Sequence, residues 1–493
     1  MESTRSLGAA ASAALATTLV LGLPCGPAPA LRADPDSTRH SRPADYTFVS
    51  SPDFLNRDIG DISDRAADWS GVTFHYEVID GVKVQVNTPP DYVRNSTSPE
   101  VEVALGAVLD DWKSYQPGDV LVAGDLVEGV WHEDSYRTGI FGPLGSVAQK
   151  NASVRRAADT YYGQWTQRFR DHGLSFQTAI GDHDIGDNYW LTNSYHHAHV
   201  ALYKHLYAEH LTAGGTKGFS RPAGPAHETA YATWVDRDPR VLVVSLDVFE
   251  KLAASEAPGR KDGVVSRLDP QQLAWLQRLL RHHRTRADWI IVQGHTPVLG
   301  PVNRASSSGL MYGATSAHPT GTGARSDLWR TMARNGVDLY LAGEVHDLTV
   351  RRAGGVTQVS HGGPFPDRAD YLVGRITGDT MELSVHDQDV ATREGPLLWQ
   401  LLAYRMFLRS NVVMGQPRVA GTMRLTSRGR VLDSTGALRQ CRARWTPSLA
   451  STWRKEKTIT PCPRSHLPTF SRSTRAASTW GLGSISPPLA AGF

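Results

Sequence analysis

Residues 181–188 read Gly-Asp-His-Asp-Ile-Gly-Asp-Asn and follow the apolar stretch 175–180. A short apolar run that ends in turn residues is typical of a buried β-strand. A glycine directly after such a strand lets the backbone turn sharply and approach a ligand closely. Because acidic and imidazole side chains bind cations and transfer protons, the stretch predicts a strand that ends in a polar site.

Four other stretches repeat this arrangement, an apolar run followed by a polar cluster. The clusters lie at residues 51–56, 124–128, 294–297 and 343–347. The predicted strands, rich in Val, Ile, Leu or aromatic residues, are 46–51, 119–123, 175–180, 241–245, 289–293 and 337–342. Because ligands bind beyond the carboxyl ends of parallel strands, the clusters are expected to meet in one site.

Helical patterns separate several of these strands. Asp269 is suited to cap a helix whose first turn holds Pro270, and leucines then recur on one face. A second helical pattern covers 326–334 and stops before an Asn-Gly pair. Strands that alternate with helices predict an α/β domain with a largely parallel inner sheet. After residue 343 successive strand patterns at 348–352, 356–360, 371–376 and 381–385 predict an antiparallel closure of the domain near Asp387.

The five polar clusters, in this order, resemble the motifs of the calcineurin-like metallophosphoesterase superfamily. Those motifs are Asp-x-His, Gly-Asp-x-x-Asp/Glu, Gly-Asn-His-Asp/Glu, Gly-His and Gly-His-x-His, and the match covers residues 46–387. Each motif is short and unspecific alone, whereas the ordered set behind predicted strands is specific. The resemblance implies an α/β fold, a four-layer αββα sandwich, with two divalent metal ions and hydrolysis of a phosphoester by a metal-bridging hydroxide.

The resemblance also implies a role for each matching residue. Asp53 and His346 would bind the first metal ion, and His295 would bind the second. Asp125 would bind both ions.

Two further residues of the third motif would handle protons. His183 would contact the phosphoryl oxygen and help to protonate the leaving group. Asp184 would orient the His183 ring through its N–H.

Three positions depart from the motifs. Leu55 stands where a ligating histidine is expected, and its neighbour Asn56 is either a replacement ligand or a turn residue. Asp182 replaces the usual asparagine, and Glu344 replaces the first histidine of the last motif. The predicted metal ligands are Asp53, Asn56, Asp125, Asp182, His295, Glu344 and His346. Because oxygen ligands dominate this set, Mn, Fe or Mg ions are favoured over Zn.

The predicted domain division is a signal peptide at 1–30, a linker at 31–45, a metallophosphoesterase domain at 46–395, a small C-terminal extension at 396–445 and a basic, poorly ordered tail at 446–493. Arg5, the apolar stretch 7–23 and the small residues at 28–30 are typical of a secretory signal. The alternative is an uncleaved membrane anchor, although a transmembrane helix needs roughly 20 apolar residues. We therefore expect a secreted or cell-envelope protein with no transmembrane span after signal removal.

The charge of the chain is unevenly distributed. Of the formal net charge of +3, residues 437–493 carry +8 and the remainder carries −5. The sequence pI of about 8.7 therefore reflects the tail and is no argument for nucleic-acid binding by the body. We also find no specific nucleic-acid module in the sequence.

Together these patterns predict an enzyme that hydrolyses a phosphomonoester or phosphodiester. The alternative is a catalytically weak metal-containing protein that binds a phosphorylated ligand or surface. Leu55 favours this alternative, and the retained pair His183 and Asp184 opposes it, because a binding module has no use for a proton donor. The identity of the substrate and the oligomeric state stay open.

Overall fold

The structure is a computed structural model. It describes residues 45–54, 74–79, 82–87, 99–127, 129, 131, 141–143, 145–186, 195–212, 220–251, 264–300, 302, 310–313, 322–363, 368–401, 404–427 and 429–439. The predicted signal peptide and basic tail lie outside these residues, as do Leu55 and Asn56. Across the described ranges, no helix combines the length and the apolar character needed to cross a membrane.

The strands and helices follow one another along the described chain as the alternation predicts. The strands are β1 Asp45–Ser50, β2 Phe74–Ile79, β3 Val82–Asn87, β4 Asp119–Ala123, β5 Phe176–Ala179, β6 Tyr231–Arg237, β7 Arg240–Ser245, β8 Phe249–Lys251, β9 Val264–Ser266, β10 Trp289–Gln293, β11 Leu339–Ala342, β12 Thr349–Ala353, β13 Val356–Ser360, β14 Arg368–Thr377, β15 Thr380–Leu401, β16 Tyr404–Met414, β17 Arg418–Thr426 and β18 Val431–Ser434. The helices are α1 Pro99–Ser114, α2 Val147–Asp171, α3 Tyr195–Tyr207, α4 Pro270–His283 and α5 Asp327–Arg334.

Two main sheets carry the fold. The first has the order β18-β17-β15-β14-β1-β4-β5, with β16 paired to β15, and the second has the order β12-β13-β11-β10-β7-β6. Strands β1, β4 and β5 are parallel, and so are β7, β10, β11 and β13. Both sheets therefore contain the predicted parallel strands: in the second sheet these lie between the antiparallel strands β12 and β6, and in the first they form one end, with β5 at the edge.

Alternate residues of the central strands face opposite layers. In β4, Leu121 joins a core cluster with Ile291 and Leu341 of the second sheet, so this cluster lies between the sheets. Its neighbour Val122 instead joins the cluster that contains Trp165 of α2. Because successive strand residues point to opposite faces, each sheet buries one face on the other sheet and one on helices. The predicted four-layer αββα sandwich is confirmed.

Helix α4 begins where the sequence predicts. The carboxylate of Asp269 accepts hydrogen bonds from the backbone N–H groups of Gln271 and Gln272 at 2.9 and 3.1 Å, and Pro270 occupies the first turn. Such a cap stabilises a helix by about 1 kcal/mol. Helix α4 packs on the outer face of the second sheet and so supports the strands that lead to the polar clusters.

The predicted boundary at residue 395 is wrong. It falls inside β15, which is one continuous strand over Thr380–Leu401. The next two strands of the first sheet, β17 and β18, then continue that sheet beyond β15. The described part of the predicted extension at 396–445 therefore completes the sandwich instead of forming a separate unit.

Candidate metal centre

The polar clusters meet where the carboxyl ends of the two parallel centres approach each other. Asp53 follows β1, Asp125 follows β4, Asp182 follows β5, His295 follows β10, and Glu344 and His346 follow β11. Four carboxylate oxygens surround the Nε2 atom of His295: Asp182 Oδ1 at 3.0 Å, Asp125 Oδ2 at 3.1 Å, Glu344 Oε2 at 3.4 Å and Asp53 Oδ1 at 3.9 Å. Two sheets thus contribute to one buried cluster of like charges around a single imidazole.

The orientation of the His295 ring is fixed from behind. Its Nδ1 atom lies 2.8 Å from the carbonyl oxygen of Ala123 and donates a hydrogen bond to it. The Nε2 atom therefore faces the carboxylates. A ligating histidine is commonly held in this way, with its other ring nitrogen bonded to a backbone carbonyl.

Several oxygens of the cluster have no hydrogen-bond partner among the described residues. They include Oδ2 of Asp182, which is fully buried, and Oδ2 of Asp53. Burying such a group unsatisfied costs several kcal/mol, and more when it is charged. The orphaned oxygens and the surrounding carboxylates fit a divalent cation, whose charge would compensate the repulsion.

Three sets of side chains bring their ligand atoms within 4.8 Å of one another. They are Asp53, Asp125 and His295; Asp125, Asp182 and His183; and Asp182, His295 and Glu344. Asp125, Asp182 and His295 each belong to two of these sets, so the three sets form one connected cluster. Among the described residues, the structure thus brings Asp182 and Glu344, the two carboxylate replacements, into the same cluster as the motif residues.

The electrostatics of the metal-free cluster show its need for positive charge. Burial raises the pKa of Asp125 to about 8, and Asp182 adds to this while His295 opposes it. Burial also raises the pKa of Glu344. Burial lowers the pKa of His295, but the carboxylates, Asp125 foremost, outweigh it and raise that pKa well above its usual value. The cluster therefore holds either protons or a metal ion, and the two compete.

This competition makes the metal-free protein less stable as the pH rises. Asp125, Glu344 and His295 all have folded-state pKa values above their unfolded ones, so the stability they contribute at low pH is lost as the pH rises through the folded values. The fall should exceed the opposite effect of Asp182, whose pKa is lowered by His295 and His183 despite burial. In a chelator, we expect the melting temperature to fall by ~5 °C or more between about pH 5.5 and pH 8.5. Differential scanning calorimetry tests this, and a rise over the same window would contradict it.

Motif glycines make room for the ligands. A Cβ on Gly181 would lie closer than 3.0 Å to the Asp125 carboxylate, and one on Gly124 would lie equally close to the His295 ring. A Cβ on Gly343 would similarly meet the carboxylate that follows β1. Each glycine thus lets a neighbouring strand end place its side chain against the backbone.

Four ligand residues adopt a left-handed backbone conformation that non-glycine residues seldom use. The φ angles are 56° at Asp53, 62° at Asp125, 69° at Glu344 and 52° at His346. Each such residue costs about 1–3 kcal/mol and persists only where its surroundings enforce it. These residues follow strands of both sheets, and their concentration in one cluster is typical of a functional site.

The described residues of the five motifs thus lie together at the strand ends of the two sheets. No protein-family model matches this sequence, and neither does any curated protein.

Three solved structures of low identity are similar to this chain over much of its length. A dimetal phosphatase from Danio rerio is 13% identical, with a TM-score of 0.40, 69% of this chain covered and 95% of that chain. A PhoD structure is 11% identical, with a TM-score of 0.42 and coverages of 80% and 73%. The calcineurin-like phosphoesterase YfkN from Bacillus subtilis is 10% identical, with a TM-score of 0.34 and coverages of 76% and 91%. At such identities, the chemistry of this chain has to be inferred from its own residues.

The two predicted proton-handling residues have distinct surroundings. Oδ2 of Asp184 accepts hydrogen bonds from the backbone N–H groups of Asp125 at 3.0 Å and Gly181 at 2.9 Å. The backbone N–H of His183 donates to Oδ1 of Asp125 at 3.1 Å. Asp184 therefore holds the turns after β4 and β5 together. These backbone partners differ from the partner predicted from the sequence, which was the ring of His183.

His346 marks the open side of the cluster. Its Nε2 atom lies 3.4 Å from Oδ1 of Asp53, and 28% of its side chain is exposed, whereas the His295 side chain is 0% exposed. Burial lowers the pKa of His346, but Asp53 outweighs it and raises that pKa. Among the predicted ligands in the described part of the chain, His346 thus lies on the solvent-exposed side of the cluster.

A part of the segment between β10 and α5, which we call the insertion after β10, also reaches the site. The backbone N–H of Leu310 donates to Oε1 of Glu344 at 2.8 Å. The other oxygen of Glu344 faces His295. This carboxylate therefore connects the insertion to the cluster.

The sequence interpretation missed His361. This residue is fully buried directly after β13, and its Nε2 atom lies 3.0 Å from the hydroxyl of Ser50. Burial lowers the pKa of His361 to about 4, against the opposing effect of Asp53, so the ring is neutral at neutral pH. A signal was present, because His361 and two glycines follow a predicted strand in the same way as the other polar clusters do.

Proposed function

We propose that the protein is a metal-dependent hydrolase of phosphomonoesters or phosphodiesters. The observation that carries this proposal is the convergence of four buried carboxylates on Nε2 of His295. The residues that would hold the ions are Asp53, Asp125, Asp182, His295, Glu344 and His346. Bound divalent ions would polarise the phosphoryl oxygens and lower the pKa of water at the site.

The chain contributes position and proton transfer. The tied turns after β4 and β5 fix the backbone of His183, and its ring lies within 4.8 Å of the ligand atoms of Asp125 and Asp182. A protonated His183 at this place would donate to the leaving-group oxygen as the ester bond breaks. Asp184, which holds both turns, keeps His183 in register with the ligands.

The ligand set favours particular ions. Four carboxylates and two imidazoles form a harder site than the histidine-rich motifs of the family, and oxygen ligands favour Mn²⁺, Fe²⁺ or Mg²⁺ over Zn²⁺. We expect chelated protein reconstituted with Mn²⁺ to hydrolyse chromogenic esters at least ~10-fold faster than protein reconstituted with Zn²⁺. Metal content is measured on the same samples. Equal activity with Zn²⁺ alone would contradict the proposed preference.

Replacement of His183 tests the proposed reaction. The variant His183→Ala should lower kcat for a mono- or diester with a poor leaving group by ~10²–10⁴-fold, because the leaving oxygen loses its proton donor. An activated nitrophenolate ester needs less protonation and should be less affected. The control His172→Ala, which removes a partly exposed imidazole paired with Asp110, should leave both rates unchanged. A protein that binds phosphate competitively but hydrolyses no ester would instead support the alternative of a metal-containing binding protein.

The N-terminal sequence adds a proposal on location. We propose that the protein acts outside the cytoplasm, because its first 30 residues have the pattern of a secretory signal. Mass spectrometry of the protein from culture medium or envelope fractions would detect a new N-terminus near residue 30. A full-length protein that stays in the cytoplasm would contradict this.

A further inference from the structure

The first predicted ion lacks one ligand in the motif. Leu55 stands where the family has a ligating histidine, and a leucine side chain has no atom that binds a cation. A fully buried imidazole, that of His361, lies beside the end of β1. Any role of this imidazole as a metal ligand rests on the proposed metal-dependent function.

The segment after β13 lies between Asp53 and His346, two of the ligands predicted for that ion. The backbone N–H of His361 donates to the carbonyl of Ala342, the last residue of β11, at 3.1 Å. A Cβ on Gly363 would collide with the backbone oxygen of Asp53, and one on the preceding glycine would lie 3.0 Å from the carbonyl oxygen of His346. His361 is thereby anchored between the strand ends that carry Asp53 and His346.

The two ring nitrogens of His361 differ in their surroundings. The Nε2 atom lies 3.0 Å from the Ser50 hydroxyl, which belongs to the strand that ends at Asp53. The Nδ1 atom is buried and has no hydrogen-bond partner within the described part of the chain. A ligating histidine usually donates its other N–H to a fixed acceptor, and Ser50 provides one. With the proton on Nε2, the lone pair of Nδ1 is available to a cation.

We propose that His361 supplies, through Nδ1, the imidazole ligand of the first ion that Leu55 cannot supply. Ser50 is its positioning residue, because its hydroxyl holds the ring in the required tautomer. Asp53, His346 and His361, together with the shared Asp125, would then form the first site, drawn from the ends of β1, β11, β13 and β4. The ligand is recovered from a different strand than the one that carries it in the family motif.

The experiment measures bound metal rather than turnover. Chelated wild type and His361→Gln are dialysed against Mn²⁺, and metal per chain is measured by plasma mass spectrometry. The wild type is expected to retain two ions of a dinuclear site, and the variant one, with affinity for the other weakened by ~100-fold or more. Electron paramagnetic resonance should change from a spin-coupled pair to the hyperfine pattern of an isolated Mn²⁺ ion. Ser50→Ala should weaken the same ion by ~10-fold.

Two further variants separate ligation from folding. Leu55→His in the His361→Gln background puts the family's ligand back and should restore the second ion. His386→Gln removes another buried imidazole, which stacks on Tyr371 in β14, and should leave the metal content unchanged. If His361→Gln fails to fold, pulsed resonance on the Mn²⁺-loaded wild type still counts the coordinated imidazoles. Nitrogen couplings from three histidines support the proposal, and couplings from His295 and His346 alone overturn it.

The outcomes distinguish this ligand from the proposed activity. If His361→Gln retains both ions as tightly as the wild type, His361 is not a ligand, whereas ester hydrolysis by the wild type would still stand. If the His361→Gln variant binds one ion fewer than the wild type, and the double variant with Leu55→His binds it again, the role of His361 as a ligand is supported even where no ester is hydrolysed. That second result would overturn only the proposed reaction.

Discussion

The variant Asp125→Asn is expected to hydrolyse phosphoesters at least ~10³-fold more slowly than the wild type, which corresponds to about 4 kcal/mol of transition-state stabilisation. Oδ2 of Asp125 lies 3.1 Å from Nε2 of His295, and the residue belongs to two of the three candidate ligand sets. In the variant, an amide N–H group would face the ions in place of a negatively charged carboxylate oxygen, and an amide N–H group does not bind a cation. Steady-state kinetics in Mn²⁺ gives the loss.

The same variant should be more stable than the wild type when no metal is present. The ionised Asp125 carboxylate is costly in the fold, since burial raises its pKa to about 8, and the amide stays neutral. The amide oxygen can still accept the hydrogen bond from the backbone N–H of His183. In a chelator near pH 8.5, we therefore expect a higher melting temperature for the variant, whereas added Mn²⁺ should stabilise only the wild type.

A matched surface change shows whether these effects belong to the cluster. Asp110→Asn removes a carboxylate that is exposed and pairs with His172. It should change neither the metal-dependent activity nor the response of the melting temperature to Mn²⁺. If Asp125→Asn retains more than about a tenth of the wild-type rate with Mn²⁺, the shared-ligand role of Asp125 is wrong.

The variant Gly181→Ala should abolish metal binding although it adds only one methyl group. Its Cβ would overlap the carboxylate and the backbone nitrogen of Asp125, neither of which is the free end of a flexible side chain. The backbone N–H of Gly181 also donates a hydrogen bond to Asp184, so a shift of this backbone away from Asp125 would break that bond. We expect a loss of activity of ~10²-fold or more and a stability loss of about 1–3 kcal/mol. Isothermal titration with Mn²⁺ and chemical denaturation measure the two effects.

Gly163→Ala is the matched control for this change. Gly163 lies in α2, and nothing lies within 4 Å of a Cβ placed there. Because alanine favours a helix interior over glycine, this variant should be more stable by about 0.5–1 kcal/mol with unchanged activity. Equal behaviour of the two variants would mean that the strand end at Gly181 is not tightly packed.

Much of the fold follows from local sequence patterns. The predicted strands 119–123, 289–293 and 356–360 match β4, β10 and β13 residue for residue, because apolar runs bounded by turn residues mark buried central strands. Helix α4 begins at its predicted cap for the same local reason. The ligand cluster was also predictable, since parallel strands bring their carboxyl ends to one edge.

Other features depend on tertiary context. Neither helix α1 nor helix α2 was assigned from the sequence. Helix α2 was missed although Ser146 caps it, accepting a 3.2 Å hydrogen bond from the backbone N–H of Gln149. Strand β15 continues across the predicted domain boundary, and beyond residue 395 it pairs with β16, which lies farther along the chain. Periodicity within one segment carries no information about such distant partners.

The site shows the same division. The residues of the motifs were identified because each follows a recognisable strand. His361 has no counterpart in the motifs, and only the packing of β13 between β1 and β11 shows its nearness to Asp53. The backbone partners of Asp184 likewise depend on how two turns meet in space.

The left-handed ligand residues give the protein an evolutionary liability. At Asp53, Asp125, Glu344 and His346, a glycine would relieve backbone strain and remove a buried or partly buried polar group in one mutation. Directed evolution for heat resistance, carried out in a chelator, should therefore enrich substitutions at these four positions before any in the core. Variants chosen for robustness alone would keep the sandwich and discard its metal site, so a screen for improved forms of this protein has to select in the presence of the ion.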